Sequence, residues 1–260
     1  MDLMTEESTA TVSDFYDSLA PDYDAMTGFT KRFVHERPFF RLLVERYGIG
    51  TALDAGCGTG FHSLLLSQLG VHVTAVDVSN EMLSAVARHA KEMDVDVGIV
   101  KSTFQHIPNN VSTNYDAVFS MGNSLAHLLS SEELLASLRS FASVLKPGGV
   151  LFVQNLNYDR IMNSRERIQS IKESNGITFV RYYEYLEERI NFQILKVQSI
   201  NGVLEHKLMS VMLRPILKDD FVQLLRQAGF NGVKFFGGIS MEEFHSDTSR
   251  DLVVLATKAK

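Results

Sequence analysis

From Thr51 onward, short apolar runs alternate with longer stretches whose apolar residues recur at helical spacing. "TALDAG" (51–56) predicts a strand, and "FHSLLLSQLG" (61–70) predicts a helix ended by Gly70. "VHVTAVD" (71–77) reads as a strand, and "SNEMLSAVARHAKEM" (79–93) as a helix with Ser79 or Asn80 at its N-cap. "VDVGIVKS" (95–102) and "YDAVFSM" (115–121) are further strands. "SSEELLASLRSFASVLK" (130–146) opens with a capping box, Ser130 and Glu133, and "GGVLFVQNL" (148–156) returns to a strand. Strands alternating with helices imply right-handed crossovers and a parallel sheet.

The flanks follow other rhythms. Residues 1–10 are polar and acidic without periodicity, which predicts disorder. Residues 11–20 can start a helix that Pro21 interrupts. Residues 31–47 read as a helix closing at Gly48, with Phe33, Phe40, Leu43, Val44 and Tyr47 on one face, and Pro38 predicts a kink or break. Residues 176–215 are rich in β-branched and aromatic residues and carry an Asn201-Gly202 hairpin signal. Two or three antiparallel strands, forming an inserted cap, are expected there. In "RYYEYLEER" (181–189), alternation puts Arg181, Tyr183 and Tyr185 on one strand face and Tyr182 and Glu184 on the other. "LKDDFVQLLRQAGF" (217–230) is a helix, and "GVKFFGG" (232–238) and "DLVVLATK" (251–258) are closing strands. The expected division is a tail and lid at 1–30, a sheet domain at 31–160 and 216–260, and the cap at 161–215.

Composition narrows the function classes. A chain of 260 residues with 45% hydrophobic and 22% charged residues suits one large domain, or a domain with an insertion. A net charge of −6 argues against a broad basic face for nucleic acid. With Cys57 as the one cysteine, no intrachain disulfide forms, which favours a reducing compartment. The N-terminal stretch has no apolar signal core, and no stretch is long and apolar enough to span a bilayer. The expectation is a cytoplasmic protein without membrane partners. The histidines are scattered and lack helical zinc spacing, so no metal is expected.

The chemistry concentrates after the first strand. "LDAGCGTGFH" (53–62) places Asp54 at a strand end, then Gly56, Gly58 and Gly60 before a helix. Glycines permit a tight turn and close approach of backbone N–H groups to a ligand. Asp77 ends the next strand, where a carboxylate can accept both hydroxyls of a ribose. The spacing is G-x-G-x-G, with the third glycine one place earlier than in the dinucleotide fingerprint. Asp54 just before the loop would repel a pyrophosphate and attract a cation. A ligand with a positive amino-acid end and a ribose, such as S-adenosylmethionine, fits better.

"LDAGCGTG", Asp77, "YDAVFSM" and "LKPGGVLF" together resemble the class I S-adenosylmethionine-dependent methyltransferases. "FYDSLAPDYDAM" (15–26) is similar to the N-terminal lid of small-molecule members. The resemblance implies an α/β, Rossmann-like, doubly wound, mostly parallel seven-stranded sheet with an inserted antiparallel β cap. It implies that Gly56, Gly58 and Gly60 line the methionine end of the cofactor, with Cys57 a small side chain among them. Asp54 would hold the amino group and Asp77 the ribose, while Val78 and Met82 would flank the adenine. Thr103 or Phe104 would contact the adenine edge. Tyr16, Met121 and Gly122 complete the expected cofactor set.

"GNSLAHL" (122–128) looks at first like a blemished nucleophile elbow around Ser124, with Asp219 and His245 in the right chain order. No oxyanion motif precedes it, and that reading leaves the glycine loop unexplained. The run instead resembles the glycine N-methyltransferase group, as does "NYDRI" (157–161). This group places an arginine immediately before its "NYD"; here Leu156 stands there. The resemblance implies a small-molecule methyl acceptor, most simply an amine, with Asn123, Tyr23 and His127 as catalytic candidates. Tyr158, Tyr183, Arg181 and Arg214 are the substrate candidates. A methyltransferase for RNA or protein, a cofactor binder without turnover, and a homodimer all stay open.

Overall fold

A computed structural model describes residues 3–112 and 114–259. The alternating pattern becomes β1 (Thr51–Ala55), α3 (Phe61–Gln68), β2 (His72–Asp77), α4 (Asn80–Glu92), β3 (Val97–Lys101), α5 (Ile107–Asn110), β4 (Tyr115–Ser120), α6 (Ser131–Val144) and β5 (Leu145–Leu156). Ser79 caps α4 by accepting the Met82 N–H, and the Ser130–Glu133 capping box opens α6 with both of its hydrogen bonds made. α7 (Tyr158–Ser164) leads to β6 (Ile168–Ser174), β7 (Ile177–Tyr185), β8 (Ile190–Ile200) and β9 (Val203–Leu213). α8 (Lys218–Gln227), β10 (Phe230–Phe236) and β11 (Asp251–Lys258) close the chain.

The main sheet has seven strands in the order β10-β11-β5-β4-β1-β2-β3, and β6-β7-β8-β9 form a second sheet. β1 pairs in parallel with both β2 and β4, so the order reverses between β1 and β4. The carboxyl ends of strands at such a switch point open a crevice, because their crossovers leave to opposite sides. β11 runs antiparallel between β5 and β10. The core lies on both faces of this sheet: Leu53, Val118, Phe141 and Leu151 on one, Phe40, Ala52, Phe61 and Phe119 on the other.

The N-terminus departs from expectation. α1 runs Leu3–Thr27 through Pro21, and α2 (Phe29–Tyr47) runs through Pro38. Residues 3–10, expected to be disordered, belong to α1; residues 1 and 2 lie outside the described residues. Both prolines are exposed, so each ring sits on the outer side of its helix. Packing offsets the lost hydrogen bond: Phe15, Leu19 and Met26 of α1 are buried against Phe179, Ile194, Met209 and Val211 of the second sheet. Burying side chains of this size contributes on the order of 2 kcal/mol each, comparable to the cost of an interior proline. The cap has four strands rather than two or three. β6 escaped because its sequence, "IQSIKES", is mostly polar and sits at a sheet edge where neither face is fully buried.

Candidate active site

A cavity of about 1020 Å³ opens at the carboxyl ends of β1, β2 and β4, roofed by α1. It stands at the upper end of the roughly 300–1,000 Å³ usual for small-molecule sites, enough for a nucleoside and a second small molecule. Gly56, Cys57, Gly58, Asp77, Val78, Thr103, Phe104, Met121 and Gly122 line it, together with Tyr16, Tyr23 and His127.

The glycine loop is shaped by contact. Gly56 has φ 74°, and a Cβ there would lie 2.8 Å from both Cβ and Oγ of Ser124. Only glycine lets the loop pass so close to the turn after β4. Asp77 fixes the loop from the other side. Its Oδ2 accepts the Gly58 N–H at 2.9 Å, and its Oδ1 accepts the Ser79 N–H at 3.0 Å. Burial raises the Asp77 carboxyl, and the N–H groups of Ser79 and Gly58 partly offset it. A carboxylate has about four lone-pair directions, so acceptor capacity remains toward the cavity.

Asp54 lies beneath the loop, 1% exposed and outside the cavity lining. Its Oδ2 accepts the Ser63 hydroxyl at 2.6 Å, while its Oδ1 is buried without a partner. Burial raises this carboxyl too, with the charge of His62 and the Ser63 bond acting against it. The Cys57 thiol is pushed well up by burial and then by Asp77 and Asp54, so it is not a ready thiolate. Met82 is fully buried and forms no part of the cavity wall.

The turn after β4 divides its labour in a way the motif does not reveal. Asn123 takes a left-handed conformation, φ 73°. This turns its side chain toward β5: its Nδ2 donates to the Tyr158 hydroxyl at 2.9 Å and its Oδ1 accepts the Leu156 N–H at 3.0 Å. Both ends of the amide are thus spent on the scaffold. The Ser124 hydroxyl lies 2.9 Å from the Met121 carbonyl and 3.3 Å from that of Gly56, where it clips the turn to the glycine loop. No base reaches it among the described residues. Ser124→Ala is expected to keep turnover within a few-fold and to cost about 1 kcal/mol of stability. Product formation and thermal unfolding measure the two; a loss of activity beyond a hundredfold would restore the nucleophile reading.

His127 does face the cavity. Its Nε2 is 2.8 Å from the Tyr16 hydroxyl, while its Nδ1 is buried and unpartnered. Burial lowers its pKa to about 4, so the ring is neutral near pH 7. Burial, then Tyr23 and Asp77, raises Tyr16 well above the usual phenol value. Tyr16 and Tyr23 arrive on α1, which polar contacts hold down. Thr59 donates to Asp24 at 2.7 Å, Ser79 donates to Asp17, and Lys196 of the cap pairs with Asp22 at 2.5 Å.

The substrate candidates are not brought to the cavity wall. Tyr158 is fully buried and packs with Ala126, Ile161 and Tyr183. Arg181 donates to Ser170 at 2.6 Å, and Arg214 donates to Ser131 at 2.7 Å. Arg32 was missed and does line the cavity. Its Nε donates to Glu36 at 2.6 Å and its guanidinium carbon sits 4.0 Å over the Phe61 ring. Burial alone would raise Glu36, but hydrogen bonds from His62 and Arg32 outweigh it and hold the carboxyl below its ordinary value. The i,i+4 spacing of Arg32 and Glu36 is visible in the sequence; that this pair borders the glycine loop is not.

Residues 52–149 match a family described as a methyltransferase domain. The sequence is 28% identical over 251 residues to the glycine/sarcosine N-methyltransferase of Aphanothece halophytica, covering 95% of this chain and 90% of that one. It is 25% identical over 240 residues to the glycine/sarcosine/dimethylglycine N-methyltransferase of Actinopolyspora halophila, covering 89% of this chain but 40% of the relative. A solved S-adenosylmethionine-dependent methyltransferase from Clostridium acetobutylicum superposes with a TM-score of 0.81 at 15% identity, over 94% of this chain and 99% of that one. The chain thus carries a methyltransferase domain on the fold seen in solved S-adenosylmethionine-dependent methyltransferases. Over most of its length it resembles the glycine/sarcosine N-methyltransferase group.

Proposed function

We propose that the cavity binds S-adenosylmethionine and a small amine, and that the amine nitrogen takes the methyl group. The chain's own groups fit the cofactor. Asp77 offers acceptors to the ribose, Val78 and Phe104 flank the base, and Thr103 lies at its edge. Arg32 supplies a cation for the carboxylate end, and the unpartnered Asp54 Oδ1 attracts the ammonium end through the loop. When bound, the cofactor's sulfonium supplies an activated methyl, so the protein's contribution is orientation, which can be worth several kcal/mol.

One observation carries the choice of nitrogen: the imidazole in the turn after β4 is buried, with Nδ1 unpartnered and Nε2 on the Tyr16 hydroxyl, a setting that keeps it neutral. A hydroxyl acceptor needs a base of higher affinity for its proton. A neutral amine brings its own lone pair. The Tyr16 hydroxyl, held 2.8 Å from His127 Nε2 at the cavity wall, is then its hydrogen-bonding partner. His127 thus positions Tyr16 and does not deprotonate the acceptor. The role foreseen for Asn123 passes to the scaffold, and Tyr16, Tyr23 and His127 remain as the methyl-transfer set.

α1 serves as the lid and the four-stranded sheet as the cap in this reading. Among the described residues, no helix is long and apolar enough to cross a membrane. A panel assay tests the acceptor. S-Adenosylhomocysteine release is measured with glycine, sarcosine and amino sugars, and with their hydroxyl counterparts. Turnover with amines is expected; turnover confined to hydroxyl compounds would overturn the assignment.

A further inference from the structure

The cap sheet has two faces, and among the described residues only one is covered. Phe179, Ile194, Met209 and Val211 point inward and pack on α1. Alternation sends Val180, Leu195 and Leu208 to the opposite face. The strand registers pair Ile171 with Val180, Val180 with Leu195, and Leu195 with Leu208. This is a continuous aliphatic row across all four strands. Ile171 is 67% exposed and Leu208 53% exposed, and none of the four belongs to a packed cluster among the described residues. A neighbouring row on the same face pairs Glu173 with Thr178, Thr178 with Val197, and Val197 with His206.

We infer that this face docks on the same face of a second copy of the chain, with a two-fold axis along the strands between β7 and β8. Such an axis exchanges β6 with β9 and β7 with β8 while leaving each row at its own height. Ile171 then meets Leu208 of the other copy, and Val180 meets Leu195. In the next row Glu173 meets His206 of the other copy, an acid against an imidazole at both ends. The contact is isologous, as closed dimers require. Two sheets stacking this way are in the aligned packing class, about 10 Å apart. Four strands at about 4.8 Å spacing and roughly 30 Å of strand give a flat footprint of about 600 Å². Side-chain relief brings that near the roughly 800 Å² per partner of a standard interface. A lipid surface suits the face less well: its exposed flanks carry Glu173 and Glu184, and the chain's net charge is −6.

Sedimentation velocity on the full chain tests this. The wild type is expected to be a dimer at protein concentrations on the order of 100 µM, the range of a modest interface. Ile171→Glu with Leu208→Glu is expected to give a monomer whose melting temperature and S-adenosylhomocysteine affinity match the wild type. Leu208→Lys alone, at an exposed position, serves if the double variant misfolds. Exchanging the acid and imidazole, Glu173→His with His206→Glu, is expected to retain the dimer, whereas Glu173→Arg alone weakens it. A monomeric wild type, or a dimer that persists in the folded Ile171→Glu/Leu208→Glu and Leu208→Lys variants, would overturn the inference.

Discussion

Asp77→Ala is expected to weaken S-adenosylhomocysteine binding by a hundredfold or more in calorimetric titration. The carboxylate does two things at once. Its oxygens take the backbone N–H groups of Gly58 and Ser79, which sets the glycine loop relative to α4. Its remaining acceptor capacity meets the ribose hydroxyls in the proposed complex. Hydrogen bonds to a charged group are worth about 1.5–3 kcal/mol each, and 1.4 kcal/mol is tenfold in affinity. Losing two such bonds to the ligand therefore gives at least about 3 kcal/mol, before any slackening of the loop. Asp77→Asn keeps one carbonyl oxygen and the side-chain shape, so its loss is expected to be intermediate. Thermal unfolding of the free variants separates the ligand effect from the loop effect. Unchanged affinity in a folded Asp77→Ala would remove Asp77 from the site.

Asp77 was legible in the sequence because the signal is local. A strand end, a glycine loop and a second strand end lie within one β-α-β unit, and parallel pairing of β1 with β2 brings them together. The same locality brings Gly56, Gly58 and Val78 to the cavity wall. Asn123 points elsewhere than expected for a physical reason. Its position in the chain is right, but a left-handed backbone swings the side chain away from the cavity and into β5, where it holds Leu156. One residue on, Ser124 looks back at the loop, and three further on His127 reaches the cavity. Side-chain direction in an irregular turn depends on dihedrals that spacing does not encode.

Met82 and Tyr158 lie off the cavity wall for another reason. Each is near the site in sequence, but each faces the core, where an apolar side chain gains more than it would at a half-wet wall. The helices through Pro21 and Pro38 show the converse error: local breaking signals lose to burial on the opposite helix face. Arg32 was invisible because its role rests on the lid helix and α2 folding over the loop, a contact between distant segments.

The second large expectation concerns acid. His127 has a pKa of about 4 in the folded protein, against 6.5 as its ordinary value. Between those values the unfolded chain binds a proton that the folded chain refuses. Stability therefore rises with pH across this window and is lost as pH falls from about 6.5 toward 4. The full shift corresponds to about 3 kcal/mol, or a drop of roughly 10 °C in melting temperature for a chain of this size. Asp54 and Asp77, whose carboxyls are raised by burial, act in the opposite sense above the ordinary carboxylate range. The contribution of His127 is thus read as a difference between wild type and His127→Gln, melted side by side from pH 7 to pH 4. The variant is expected to start less stable, because Tyr16 loses its partner, and to fall less steeply with acid. Parallel curves would mean that the ring is solvated in the folded protein. The argument for nitrogen would then fall with it, because a solvated imidazole near its ordinary value could take a proton from a hydroxyl acceptor.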